Sequence, residues 1–265
     1  MCGRYVAASN PDQIAAYFGA EPPSTELEPN YNVAPTNDVY AVVTSPDGIR
    51  HVQTFHWGLV PVWAKDIKIA SKMINARSEG LLESSAFKGS FRKHRCIIPM
   101  DGFYEWKAGD GSMLTAKGKP AKQPYFIHRT DGEPLAVAGL WSAWRDKSAG
   151  PDAPWLHTCT VITTSANATM EPVHNRMPVI LPASQWSGWL DPANDNIVDL
   201  RELLVPAPDS LLTMHPVSTE VNRVINKGAE LIDEVGPTAT TSEVASSGDS
   251  ETDSVGDVGP GAVES

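Results

Sequence analysis

A cysteine at the second position of the chain is the first residue whose placement suggests chemistry. Its small side chain would let a methionine aminopeptidase remove Met1, so that Cys2 carries an α-amine and a thiol on adjacent carbons. An α-amine has an ordinary pKa of about 7.7–8.0, so part of it is neutral near pH 7 and can attack an aldehyde to form a Schiff base. The thiol can then close a five-membered thiazolidine ring, an intramolecular step that proximity favours.

Two further residues could move protons beside such a nucleophile. Glu105 lies in the strand-like run Gly-Phe-Tyr-Glu-Trp (102–106), either exposed on an edge strand or held in a pocket that suits it to general acid–base work. His174 precedes an apolar run at 177–181, so we expect it on a loop at the entrance to a strand, where an imidazole can shuttle protons. A structural histidine bonded to the backbone is the alternative.

Amide and guanidinium groups accompany these candidates. Asn75 and Arg77 occur in Asn-Ala-Arg-Ser-Glu (75–79), where the amide could orient an amine or a sugar oxygen and the guanidinium fork matches a phosphate. The alternative is a helix N-cap at Asn75 followed by solvated charges. Arg4 and Arg176 stand close to Cys2 and His174 in the sequence, which indicates an anionic substrate.

The elements that must position these groups are mainly strands. Asn10 and Pro11 predict the start of a helix over 11–18, and a Pro-Asp-Gly turn between 38–45 and 50–57 predicts a β-hairpin. We expect a Pro-rich loop over 21–35 and a segment over 75–95 that begins as a helix. Strands are predicted at 95–99, 102–107, 124–128, 135–141 and 156–164, helices near 183–190 and 196–204, and a last strand near 211–218. This order predicts an α+β fold, built on an antiparallel sheet.

Charge is unevenly distributed along the chain. The net charge is −11, but residues 236–265 hold six acidic residues and no Lys or Arg, and without them the balance is 21 basic to 26 acidic, or −5. Residues 65–95 are basic, with eight Lys or Arg and three Asp or Glu. Such local charge can attract a polyanion, although a solvated surface is the other interpretation. We predict one domain over 1–235 and an acidic, disordered tail over 236–265.

The composition also argues against several classes of protein. No apolar run is long enough to span a membrane, and the N-terminus lacks the pattern of a secretory signal, so we expect a cytoplasmic protein that uses no membrane. The three cysteines form no CxxC pair and the histidines show no HExxH spacing, so we expect no metal and no cofactor.

Nine motifs together resemble those of the SOS-response-associated peptidase (SRAP) family. They span roughly residues 2–225 in family order. The motifs are Met-Cys-Gly-Arg-Tyr at 1–5, Tyr-Asn-Val-Ala-Pro-Thr at 31–36, Trp-Gly-Leu-Val-Pro at 57–61, Asn-Ala-Arg-Ser-Glu at 75–79, Arg-Cys-Ile-Ile-Pro at 95–99, Gly-Phe-Tyr-Glu-Trp at 102–106, Ala-Gly-Leu-Trp at 138–141, Thr-Thr at 163–164 and His-Asn-Arg-Met-Pro at 174–178.

The resemblance implies a single, barrel-like domain with flanking helices that binds single-stranded DNA and captures abasic sites covalently through Cys2. It implies that Asn75 positions the Cys2 amine, that Glu105 assists sugar-ring opening and that His174 promotes Schiff-base chemistry. It further implies DNA contacts through Arg4, Trp63, Arg77, Trp106, Thr163 and Arg176. Self-removal of Met1, a peptidase-type activity, a lyase step, a monomeric state and a place beside the nucleoid in the DNA damage response complete these expectations.

Two other functions fit the same residues. A thiol peptidase acting on other proteins would use Cys2, His174 and Glu105. A passive single-strand binding module would use the basic and aromatic side chains and leave Cys2 without a role.

Overall fold

The strands and helices below come from a computed structural model, which describes residues 2–236 except 110, 112, 113, 115, 116 and 119. The predicted tail from 237 onward therefore lies outside the described residues. The strands are β1 (Tyr5–Ala7), β2 (Asn30–Val33), β3 (Asp38–Thr44), β4 (Arg50–Trp57), β5 (Asn75–Arg77), β6 (Arg95–Met100), β7 (Gly102–Ala108), β8 (Lys122–Arg129), β9 (Leu135–Trp144), β10 (Leu156–Ser165), β11 (Arg176–Pro178) and β12 (Leu212–Pro216). The helices are α1 (Pro11–Phe18), α2 (Lys88–Lys93), α3 (Trp186–Leu190) and α4 (Ile197–Glu202).

Five strands close into a barrel. In the order β3, β4, β10, β9 and β6, each strand pairs with the next and β6 returns to β3. All of these pairings are antiparallel except that of β4 with β10, which is parallel. Closure removes the exposed edges of a sheet, and the predicted α+β fold with a barrel-like antiparallel sheet is confirmed.

Side chains alternate between the two faces of the barrel. Along β9, Leu135 and Val137 pack in a cluster to which all five barrel strands contribute, whereas Ala136 and Ala138 pack in a cluster that includes residues of α1, α3 and α4. This period of two is the geometry of a strand with both faces buried. Gly139 is required at its position, because a Cβ there would lie 2.9 Å from the Sγ of Cys96 and 3.0 Å from the carbonyl oxygen of Thr160.

A second, five-stranded antiparallel sheet lies against the barrel core, in the order β12, β8, β7, β1 and β2. Its Tyr5 and Phe103 join the barrel residues in the main core cluster. In a separate hydrophobic cluster, Tyr104 of this sheet packs with Val221 and Leu231. The segment after β12 therefore covers part of the sheet. This sheet brings the N-terminal strand and the Glu105 strand side by side, since β1 pairs with β7.

The local predictions were confirmed where capping and turn signals were strong. The predicted helix is α1, with Asn10 as N-cap and Gly19 in the left-handed conformation at its end, and the predicted hairpin is formed by β3 and β4. Two predictions were wrong. The Pro-rich segment contains β2, which pairs with β1, and the 75–95 segment begins with β5, which pairs with β10, rather than with a helix. Local propensity does not reveal these partners, because they are distant in the sequence. No helix among the described residues is long and apolar enough to cross a membrane.

The basic stretch 65–95 needs one correction. Arg95 is 4 % exposed, so it is unavailable to a polyanion, whereas the other seven basic residues of this stretch are exposed. Its guanidinium donates five hydrogen bonds of 2.5–3.0 Å to backbone carbonyl oxygens, which belong to Phe91, Arg92, Trp189, Asp191 and Asn194. These bonds join the ends of α2 and α3 to the start of β6, where a buried cation replaces the water that the carbonyls would otherwise bind.

We expect Arg95→Ala to lower the free energy of unfolding by about 3 kcal/mol or more, because it removes five hydrogen bonds to carbonyl oxygens that are buried or partly buried. Urea unfolding at pH 7 measures this. Arg92→Ala on the exposed face of α2 is the matched control and should change stability by about 0.5 kcal/mol or less. Equal stability of the two variants would show that the carbonyl cluster does not depend on this cation.

Candidate active site between the barrel and the second sheet

Cys2 and Asn75 meet where the second sheet abuts the barrel. Cys2 precedes β1 of the second sheet, and Asn75 begins β5, which pairs in parallel with β10 of the barrel. The Nδ2 of Asn75 donates a 2.7 Å hydrogen bond to the Cys2 carbonyl oxygen. The Oδ1 of Asn75 is buried and accepts no hydrogen bond from the described residues. Asn75 lies in a strand, so the N-cap interpretation of its role is wrong.

The Cys2 side chain is fully buried in the main core cluster, together with Tyr5 and Trp57. Burial raises the pKa of the Cys2 thiol well above its ordinary range, and the negative charge of Glu105 raises it further. The thiol is therefore protonated at neutral pH. A thiol of this kind is a poor initial nucleophile, since the thiolate is the reactive form.

Glu105 occupies the middle of the second sheet. It lies on β7, opposite Tyr125 of β8, and is 4 % exposed. The edge-strand interpretation is therefore wrong, and the buried interpretation is confirmed. The charge of Glu105 raises the pKa of the Cys2 thiol, and β7, which carries Glu105, pairs with β1, the strand that Cys2 precedes. A carboxylate in this position can exchange protons with groups bound at Cys2.

His174 lies on the loop that leads into β11, as expected from the sequence, and is half-buried. The backbone N–H of Arg176 donates a 3.0 Å hydrogen bond to its Nδ1. Because a backbone N–H can only donate, Nδ1 is the acceptor and Nε2 carries the proton of the neutral ring. The imidazole is thus bonded to the backbone through Nδ1.

Arg176 forms an ion pair that the sequence did not suggest. Its Nη1 and Nη2 donate to the two carboxylate oxygens of Glu79 at 2.5 and 3.0 Å, and Nη2 also donates to the carbonyl oxygen of Thr163 at 2.7 Å. These contacts hold the pKa of the Glu79 carboxyl at about 2. The Thr163 side chain is fully buried beneath the pair. Glu79 had stood in the Asn-Ala-Arg-Ser-Glu motif without an assigned role, since its partner lies 97 residues away.

The remaining arginines differ in their availability. Arg77 is exposed at the end of β5. Arg4 is half-buried, and its Nη1 donates 2.8 Å hydrogen bonds to the Oδ1 of Asn32 and the carbonyl oxygen of Val221. Burial lowers the pKa of the Arg4 guanidinium. Arg77 is thus the arginine most open to an incoming anion.

Asn32 is a site-supporting residue that sequence reasoning missed. It is fully buried, and its Nδ2 lies 2.9–3.1 Å from three backbone carbonyl oxygens, those of Val221, Arg223 and Asn226. Together with Arg4 it holds the 221–226 loop against β2. Its only signal in the sequence was its place in the Tyr-Asn-Val-Ala-Pro-Thr motif at 31–36.

The two tryptophans predicted to stack on bases differ in exposure and in their hydrogen-bond partners. Trp63 is 53 % exposed, and its Nε1 donates to the carbonyl oxygen of Ser85 at 3.3 Å. Trp106 is half-buried on β7, and its Nε1 donates to the Oδ1 of Asn222 at 2.7 Å. Each indole is anchored by its N–H and keeps part of its ring accessible.

Among the described residues, no three His, Cys, Asp or Glu side chains cluster closely enough to hold a metal ion.

The Glu79–Arg176 ion pair predicts a pH dependence of stability. The pKa of Glu79 falls from 4.5 to about 2 on folding, so the pair stabilises the folded chain above its unfolded pKa and this contribution is lost as pH falls towards 2. Glu79→Gln should be less stable than wild type at pH 7. The difference should be small, because Glu79 is exposed and water screens its attraction to Arg176. Urea unfolding between about pH 7 and pH 3 should show this difference narrowing below about pH 5. A difference that is constant with pH, or one reproduced by Glu83→Gln, would contradict the assignment.

Solved structures share this fold. A crystal structure of a protein from Bacteroides thetaiotaomicron matches with a TM-score of 0.75 at 24 % identity, covering 88 % of this chain and all of that one. A crystal structure of a protein from Bordetella bronchiseptica matches with a TM-score of 0.67 at 29 % identity, covering 82 % of this chain and all of that one.

Curated relatives match over most of their length. Abasic site processing protein YoaM of Bacillus subtilis is 39 % identical over 235 residues, which cover 88 % of this chain and 98 % of the relative. Abasic site processing protein YedK of Escherichia coli is 29 % identical over 242 residues, covering 89 % of this chain and all of the relative. Abasic site processing protein HMCES of Gallus gallus is 34 % identical over 206 residues, covering 69 % of this chain and 57 % of the relative.

The sequence model of the SOS response associated peptidase (SRAP) family matches residues 1–224. These residues include Cys2, Asn75, Glu105 and His174. The chain therefore belongs to the SOS response associated peptidase (SRAP) family.

Proposed function

We propose that this chain processes abasic sites in DNA by capturing their aldehyde covalently through Cys2. The names of the relatives support the substrate, since each of those described above is an abasic site processing protein. The observation that carries the mechanism is the Asn75 hydrogen bond to the Cys2 carbonyl, with the charge of Glu105 close by. This contact fixes the second residue of the chain beside an acid–base group, which a passive binding module does not need.

The reaction begins at the Cys2 amine, which exists once Met1 has been removed. The neutral amine adds to the aldehyde carbon of the open sugar, and loss of water gives an imine. The Cys2 S–H then adds across the C=N bond: sulfur bonds to carbon and the proton goes to nitrogen. The sum of amine, thiol and aldehyde is a thiazolidine and one water. A buried, protonated thiol suits this order, because the amine attacks first and the thiol only closes the ring.

The neighbouring groups supply the proton transfers. Glu105 takes the hydroxyl proton that must leave when the closed sugar opens to its aldehyde, and returns a proton to the ring oxygen. His174 donates a hydrogen bond from its Nε2–H to the hydroxyl that leaves when the imine forms, and that hydroxyl takes up the proton that the nitrogen loses and departs as water. Asn75 holds the Cys2 backbone through its carbonyl, and its buried Oδ1 is available to accept a hydrogen bond from the amine.

The DNA is single-stranded in this proposal, and is held by phosphate contacts and base stacking. Two exposed residues give this part its strongest support, because Arg77 lies within the basic stretch 65–95 and Trp63 lies two positions before it. The predicted DNA-binding set also includes Arg4, Thr163, Arg176 and Trp106, although all four already make hydrogen bonds within the protein. We further propose that the chain removes its own Met1, acts as a monomer and works in the cytoplasm beside the nucleoid.

A thiol peptidase acting on other proteins is less well supported. Such an enzyme attacks a carbonyl with a thiolate, but burial raises the pKa of the Cys2 thiol and keeps it protonated. A lyase step on the captured sugar requires only the imine, and it would appear as strand cleavage beside the adduct.

Cys2→Ala should abolish the adduct, because both the thiol and the ring that it closes are lost. The test incubates purified protein with an abasic single-stranded oligonucleotide. Intact mass should show loss of Met1 and then addition of the oligonucleotide with loss of one water, and the adduct should survive heating in denaturant. Cys96→Ala and Cys159→Ala remove thiols from the barrel core and are the matched controls, which should form the adduct at the wild-type rate.

Other results would contradict the proposal in different ways. An adduct formed equally by Cys2→Ala would exclude the thiazolidine. Salt-dependent binding without any adduct would favour the passive single-strand binding module. Turnover of a peptide that stops when Cys2 is alkylated would favour the peptidase.

Asn75→Asp should slow adduct formation about tenfold or more at saturating DNA, because it places a carboxylate oxygen against the Cys2 carbonyl where a donor had been. Single-turnover rates with the same oligonucleotide measure this. Asn196→Asp makes the same chemical change at the N-cap of α4, where Asp and Asn cap equally well, and should leave the rate unchanged. A wild-type rate for Asn75→Asp would show that this hydrogen bond does not position Cys2.

A further inference from the structure

We infer that Glu79 is a positioning residue for the reaction at Cys2, acting on His174 through Arg176; this inference rests on the function proposed above. The pair of charges lies across the outer half of β10. There β5 pairs with one edge of the strand and β11 with the other, so that Thr163 lies opposite both Arg77 and Pro178. One of these short strands, β5, begins at Asn75, which binds the Cys2 carbonyl oxygen, and the other, β11, directly follows the loop that holds His174.

The ion pair joins these two strands. Glu79 lies in the 3₁₀-helix Ser78–Gly80, which directly follows β5 and Asn75. Arg176 is the first residue of β11, and its backbone N–H donates to the Nδ1 of His174. A bidentate contact at 2.5 and 3.0 Å between Glu79 and Arg176 therefore links the strand that holds Cys2 to the residue that orients His174.

Arg176 depends on Glu79 for its orientation. Its Nε is buried and forms no hydrogen bond with the described residues, so the guanidinium is held through its two Nη atoms. Both donate to Glu79, and Nη2 donates also to the Thr163 carbonyl and lies 3.4 Å from its Oγ1. Without the carboxylate, only the contacts to Thr163 remain. A bidentate pair fixes the plane of a guanidinium, whereas a single donor leaves it free to rotate.

This arrangement also limits what Arg176 can offer to DNA. Two N–H groups of Arg176 donate to Glu79 and a third donates to Thr163, while its Nε is buried. A bidentate contact with a phosphate would require Glu79 to leave. Two roles are therefore open to the Glu79 carboxylate. It either positions Arg176 and, through it, His174, or it occupies the place at Arg176 that a substrate phosphate later takes. The bonds to both neighbouring segments favour positioning.

The test compares Glu79→Gln with wild type in single-turnover reactions over a range of abasic single-stranded oligonucleotide concentrations. Positioning predicts that the rate at saturating DNA falls about tenfold, because small displacements of a reacting group have effects of this size or larger. The DNA concentration for half-maximal rate should change by about threefold or less. Glu79→Asp, which keeps the charge on a shorter side chain, should recover part of the rate.

Glu83→Gln is the matched control, since it removes one exposed negative charge four positions along the same segment. Glu83→Gln should leave the rate at saturating DNA unchanged. Removal of a negative charge near the DNA changes the strength of binding, so it would alter the DNA concentration for half-maximal rate instead. The thermal unfolding midpoint of each variant is measured, and the reactions are run well below it. A slower reaction then differs from a smaller folded fraction, because the latter would lower the final yield of adduct and leave its rate unchanged.

Several results would overturn the inference. An unchanged rate for Glu79→Gln, or a lower yield at an unchanged rate, would show that Glu79 does not act on the reaction. Tighter half-saturation with an equal or faster rate would show that Glu79 instead occupies a phosphate position at Arg176. If wild type itself forms no adduct, the proposed function fails, and this inference fails with it. An adduct with wild type but no effect of Glu79→Gln leaves the proposed function standing and removes only the inference.

Discussion

The pairing of β10 is the constraint on which the rest of the structure depends. Its first half pairs with β4 and β9 and closes the barrel, while its second half extends past the end of β4 and pairs with β5 and β11. A strand anchored in a closed barrel cannot shift its register without turning core residues outward. The strands β5, which begins at Asn75, and β11, which follows His174, are therefore held in place by the barrel, although each is only three residues long.

Burial decides what kind of chemistry the site can support. The Cys2 side chain lies in the same core cluster as the barrel interior, and the resulting loss of water keeps its thiol protonated. Glu105, in the middle of the adjoining sheet, adds its own charge to this effect. An enzyme that relied on a thiolate would need the opposite environment, such as a helix N-terminus or a neighbouring cation. A reaction that starts at an amine and uses the thiol to close a ring is compatible with this site.

Four arginines from similar motifs have different physical roles. Arg95 is buried and bonded to backbone carbonyls, so it stabilises the junction of α2, α3 and β6. Arg176 is paired with Glu79. Arg4 supports the 221–226 loop through Asn32, whereas Arg77 is exposed. Local charge in a sequence therefore overestimates the surface that is available to an anion, since burial and pairing remove some of the cations from it.

By itself, the sequence determined the elements whose signals are local. These are the cap of α1 at Asn10, the β3–β4 hairpin, the antiparallel α+β class, and the choice of Cys2, Asn75, Glu105 and His174 as candidates for chemistry. The tertiary structure alone decided that Asn75 lies in a strand against the Cys2 carbonyl, that Glu105 is buried and that Arg95 is not at the surface. It alone paired Glu79 with Arg176, across 97 positions of the chain. The reason is physical: capping and turn formation involve neighbouring residues, whereas burial and ion pairing depend on which distant strands a closed barrel brings together.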